Sequence, residues 1–118
     1  MKNIKELQDD SFWTALNKGW WDDYRSEEKL ENVEKSIPEK LALIHSEVSE
    51  ALEDYRNGKL QTTINEKGKP EGFPTELADV IIRVLDLAGA LDIDMGKEIE
   101  QKIEFNKTRP HRHGGKRC

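Results

Sequence analysis

The chain has 118 residues, 36% of them charged and 35% hydrophobic, with a formal net charge of -5. This describes a single globular domain and excludes a general electrostatic pull on nucleic acid or membrane, so any free anion must be met by locally placed basic residues. MKNIKELQDD at the amino end lacks an apolar signal core, no apolar run approaches the roughly 18 residues of a membrane span, and Cys118 has no second cysteine to pair with. A cytoplasmic protein is expected, with no membrane partner and no stable nucleic-acid partner.

The pattern predicts an all-α fold, an antiparallel bundle of about four helices, because alternation of period two never persists. The first helix is expected over about 3–17, stopping near Gly19 before Trp20 and Trp21. Ser36 with Glu39 matches a capping box for the second, with Pro38 in its first turn. There Leu41, Ile44, Val48, Ala51 and Tyr55 form an apolar stripe that ends at Asn57-Gly58. A polar loop to about Pro74 reads as a lid or a flexible connection. Thr75 is the expected cap of the third helix, which runs to about Gly89, and Asp94 that of the fourth, which ends before Pro110. Residues 1–110 make up one domain and 111–118, HRHGGKRC, a basic tail.

FPTELADVIIRVLDLAGAL, residues 73–91, is apolar nearly all round, yet Glu76, Asp79, Arg83 and Asp86 share an arc of roughly 80°. A mostly buried helix with its acidic seam turned into a cleft is expected. In HSEVSEALED, Glu47, Glu50 and Asp54 lie along one side of the second helix. Antiparallel packing through the apolar stripes would bring Glu47, Glu50, Glu76 and Asp79 to one point. Four carboxylates there repel one another unless a cation intervenes, and oxygen-only ligands select a hard ion such as Mg²⁺. The competing interpretation is of ordinary solvated helix faces.

Glu47-x-x-Glu50 followed by Glu76-x-x-Asp79 resembles the E-x-x-E…E-x-x-D signature of the MazG-like all-α nucleoside triphosphate pyrophosphohydrolases. TELADVIIRVLDLAG is similar to that family's second metal helix, NKGWWDD to its nucleoside-side segment, and KIEFNKTRPHRHGGK to the carboxy-terminal segment of its short members. Ser46 departs from the pattern, since many members have an acid directly before the first glutamate. The resemblance implies a Mg²⁺-dependent hydrolase, with Mn²⁺ able to substitute, that cleaves a nucleoside triphosphate between its α and β phosphates. It implies Glu47, Glu50, Glu76 and Asp79 as metal ligands, one of the two second-helix glutamates, Glu47 or Glu50, aligning or deprotonating the attacking water, and a MazG-like bundle completed as a homodimer or tetramer.

Lys102, Asn106 and Arg109 fall on one face of the last helix, with Lys107 adjacent; by resemblance they reach the triphosphate, and otherwise they offset the helix dipole. The same resemblance suggests that Trp20 and Trp21 stack on the base and Asn17 reads its edge, with packing the alternative for one of the two tryptophans. Trp13 is expected in the core or at an interface, and His45 as a structural or exposed side chain. His111, His113 and Cys118 make a weak zinc set. The rival function is a non-catalytic helical nucleotide-binding or protein-interaction module.

Overall fold

A computed structural model describes residues 1–27 and 29–110. The tail 111–118, with its two histidines and Cys118, lies outside them. The helices are α1 (Ile4–Asn17), α2 (Val33–Arg56), α3 (Phe73–Ala90) and α4 (Met95–Lys107). A 3-10 turn (Asp22–Tyr24) and a two-stranded ribbon, β1 (Arg25–Ser26) with β2 (Lys29–Leu30), join α1 to α2. A second antiparallel ribbon, β3 (Thr63–Ile64) with β4 (Pro70–Glu71), joins α2 to α3. The fold is therefore mostly helical, and among the described residues no helix is long and apolar enough to cross a membrane.

Local chemistry sets most helix ends. Asn3 and Glu6 form a reciprocal capping box at α1, and the Asp94 carboxylate accepts the Lys97 amide at the start of α4. At the end of α1, Gly19 takes a left-handed φ of 85°, its amide donates to Leu16 O, and the Trp20 amide donates to Ala15 O. This paired closure satisfies the last carbonyls and swings Trp21 back onto the bundle. The same pair of bonds closes α2 through Gly58 and Lys59, and α3 through Asp92 and Ile93.

Two expected caps are not formed. Helix α2 begins at Val33, one turn before the proposed box: the Ser36 hydroxyl donates to Val33 O at 2.6 Å, and Glu39 accepts the Tyr24 hydroxyl at 2.9 Å. Both residues of the box are occupied elsewhere, and Pro38 sits inside the helix. Helix α3 begins at Phe73 after Gly72, so Thr75 lies in its first turn. The segment read as a loop holds the β3–β4 hairpin. A Cβ on Gly72 would stand 2.3 Å from Gln61 O, which explains why glycine closes that hairpin onto α3.

The core is small and centres on Trp21, Ala15 and Leu87. Trp21 is fully buried, with Phe12 and Tyr24 edge-on to its ring, the Lys40 ammonium 4.3 Å from the ring centre, and its indole N–H donating to Asp86 Oδ1 at 2.8 Å. Trp13 (57%) and Trp20 (52%) are the exposed tryptophans, so Trp13 is not part of this core. Helix α1 approaches α3 so closely that a Cβ on Gly89 would lie 2.7 Å from Phe12 Cβ. The Gln8 amide bonds to Ile93 O and fastens the start of α4 to α1.

Helices α2 and α3 run antiparallel, with Lys40 near Asp86, Glu47 bonded to Arg83 and Glu50 near Glu76. They meet only partly through the expected apolar stripe, of which Ala51 is buried and Ile44 packs on the core. The buried positions of α2 are Ser36, Lys40, Glu47 and Ala51, whereas Val48 is 51% and Tyr55 60% exposed. The polar face can turn inward because its groups find partners there: Lys40 donates to Trp20 O at 3.1 Å and Glu47 accepts from Arg83. Helix α3 is buried over Leu85–Ala88, but Leu77 and Ile81 of its first half stand half exposed, so within one chain it is only partly covered.

Candidate metal centre

The charges of the α3 seam go to separate partners. Glu76 and Asp79, at the amino end of α3, line a cavity of about 660 Å³ shared with Glu47, Glu50 and Asp54 of α2 and roofed by the β3–β4 hairpin. Arg83, one turn further, donates from Nε to Glu47 Oε1 at 2.8 Å. Asp86 accepts from Trp21. The seam thus faces neighbouring elements, as the narrow polar arc implied.

Glu47, Glu50 and Glu76 each offer a carboxylate oxygen, the three lying within 4.8 Å of one another. Asp79, one turn after Glu76, lines the same cavity outside that tight triad. Burial, then repulsion from Glu50, Asp79 and Glu47, pushes the Glu76 carboxyl up to about 7. Asp79 is raised too, by burial first and then by Glu47, against the opposing pull of Arg83 and Lys69. Glu76 Oε2 is closed off from solvent and has no hydrogen-bond partner among the described residues. A buried oxygen without a donor, between two other carboxylates, fits an oxygen-ligated hard cation. One cation of the chain already serves the cluster: Arg83 pins Glu47, and its guanidinium carbon lies 5.4 Å from the centre of the half-exposed Trp20 ring.

The residues expected at a nucleotide are only partly assembled around this centre. Trp20 is linked to it through Arg83. Trp21 is enclosed and hydrogen-bonded, which leaves no ring face for a base, so its role is packing. Asn17 is exposed at the end of α1. Lys102, Asn106 and Lys107 are exposed on α4, which packs on α1, Arg109 is exposed just past its end, and none of them lines the cavity. Lys102 and Arg109 flank the Phe105 ring and Lys107 pairs with Glu104. His45 is exposed. Lys59, Lys69 and Thr75 do line the cavity. They carry no spacing signal, because the lysines sit in a segment whose sequence reads as loop. Arg83 was visible in the seam, but its partner was not.

Compared with models of known protein families, with curated proteins and with solved structures, the chain matches none.

Proposed function

We propose that the chain is a Mg²⁺-dependent nucleoside triphosphate pyrophosphohydrolase that releases the nucleoside monophosphate and pyrophosphate, as its resemblance to the MazG-like enzymes implies. The observation that carries the reading is the meeting of Glu47, Glu50 and Glu76 around a buried, unpartnered carboxylate oxygen inside a cavity wide enough for a polyphosphate. Glu47, Glu50, Glu76 and Asp79 would hold the cation. Bound there, Mg²⁺ would offset phosphate charge and lower the pKa of a coordinated water.

The chain's own residues then have separable tasks. Arg83 holds Glu47 in one orientation and supports the Trp20 ring, where the base would lie. Glu50 is exposed on the cavity wall and is not pinned in this way, so it is the better placed of the two α2 glutamates to take the proton of the attacking water. Attack at the α phosphorus breaks its bond to the bridging oxygen, and pyrophosphate leaves. Incubation with a panel of nucleoside triphosphates and Mg²⁺ should yield monophosphate and pyrophosphate in equal amounts. Nucleoside diphosphate as the first product would refute the assignment, and tight binding without turnover would favour a non-catalytic nucleotide-binding module.

Self-association belongs to the same proposal. Leu41, Val48, Leu52 and Tyr55 of α2 and Leu77 and Ile81 of α3 are exposed apolar side chains, more than a monomer of this size ordinarily leaves to water on two neighbouring helices. A two-fold pairing covers such a face on both copies at once. Light scattering at micromolar concentration should report a dimer or a tetramer; a fully active monomer would contradict it.

A further inference from the structure

The cavity over the carboxylates also has cationic lining. Beside the acids of α2 and α3 and Glu71 of β4, it is lined by Lys59, in the closing turn of α2, and Lys69, in the β3–β4 turn directly before β4. Backbone bonds determine where both stand. The Lys59 amide donates to Asp54 O at 2.8 Å in the closing turn of α2, and its carbonyl accepts the amide of Phe73, the first residue of α3, at 2.8 Å. The Lys69 amide donates to Asn65 Oδ1 at 3.0 Å, and its carbonyl accepts the Asn65 amide at 2.9 Å. Gly72 seats the returning strand against Gln61. Lys69 is thus carried by a braced hairpin, and Lys59 by the turn that ties the end of α2 to the start of α3.

Lys2, Lys5 and Lys107 each form an ion pair with a nearby carboxylate. Lys59 and Lys69 form none among the described residues, although they line a cavity rich in acids. The first turn of α3, which has no side-chain cap, contributes Thr75 to the same wall, and the positive end of the helix dipole favours an anion there. Trp20 and Arg83 lie toward the opposite end of the acid row. A ligand with its base at Trp20 and its cation at the carboxylates therefore extends its terminal phosphates toward the hairpin. The cations of α4 are not in this cavity.

We infer that Lys59 and Lys69 hold the pyrophosphate portion of a metal-bound triphosphate, a role the α4 cations cannot fill within one chain. The inference rests on the proposed pyrophosphohydrolase reading and deepens it. Calorimetric titration of the full chain with inorganic pyrophosphate, with and without Mg²⁺, tests it apart from turnover. The native protein should bind pyrophosphate only with Mg²⁺. Lys59→Gln and Lys69→Gln should each weaken that binding on the order of tenfold, as expected for loss of a charge-assisted bond. Neither variant should lose affinity for Mg²⁺ alone. Lys67→Gln, at the hairpin tip outside the cavity, should bind as the native chain does, and circular dichroism should show every variant folded. Native-level pyrophosphate binding by both cavity variants overturns the lysine assignment and leaves the enzymatic reading standing. Loss in Lys102→Gln with both cavity variants unaffected overturns it in favour of α4 cations from another copy. Absence of Mg²⁺-dependent pyrophosphate binding in the native protein removes the reading beneath it as well.

Discussion

Near Trp21, the α2–α3 interface buries Asp86 to 5% exposure and surrounds it with complementary groups: the Trp21 indole donates to it, and Lys40 and Arg83 lower the cost of its charge. Toward the amino end of α3, the same two helices gather Glu47, Glu50, Glu76 and Asp79, with Arg83 bonded to Glu47 and one Glu76 oxygen left without a donor. Burial raises the carboxyl of both Asp86 and Glu76, but only around Asp86 are hydrogen bonds and cations supplied from within the chain to oppose it. A polar cluster that completes its own bonds serves the fold, while one that leaves an acceptor buried and open has room for something from outside.

The comparison can be broken most sharply at its closed end. Trp21→Ala removes the fully buried ring at the centre of the core and strands Asp86, so it should cost about 3–5 kcal/mol of stability, whereas half-exposed Trp20→Ala should cost less than about 1 kcal/mol. Urea melts of the two variants measure the difference, and similar losses would mean that Trp21 is not the keystone it appears from its burial.

At the open end, stability and activity should separate. Glu50→Gln or Asp79→Asn should lower turnover by about a hundredfold or more while leaving the melting temperature unchanged or slightly higher, because each removes a carboxylate from a mutually repelling set. Near-normal hydrolysis by either variant would end the metal-centre assignment.

The smallest expected effect concerns pH. Folded Glu76 keeps its proton to about 7, while in the unfolded chain the carboxyl ionises near its ordinary 4.5. The folded state therefore binds more protons between those values, and metal-free stability should fall as pH rises through this window, then level off. Melting temperatures in chelator at pH 5, 6 and 8 should show Glu76→Gln gaining on the native chain with rising pH, and added Mg²⁺ should recover native stability at pH 8. A gap between the two proteins that stays constant with pH would show that Glu76 does not carry this proton.

Sequence by itself determined the features that depend on near neighbours along the chain. The halt of α1 at Gly19, the end of α2 at Asn57-Gly58 and the Asp94 cap are all closed by bonds reaching no more than five residues. The spacing of Glu47, Glu50, Glu76 and Asp79 likewise follows from the helical repeat, so four acids on two helix sides were legible before any packing was known. Tertiary structure decided what those sides face. Ser36 and Glu39 have the spacing of a capping box, yet a back-bond to Val33 and the hydroxyl of Tyr24 take them. Leu41, Val48 and Tyr55 of the α2 stripe are left outside while Lys40 and Glu47 turn in, because partners on other elements, Trp20 O and Arg83, complete their bonds. For the same reason Trp21 rather than Trp13 became the core, and Lys59 and Lys69 reached the acids from a segment with no helical period. Periodicity specifies which residues share a face, but the neighbour that satisfies the face lies far away in the chain, and only folding brings it there.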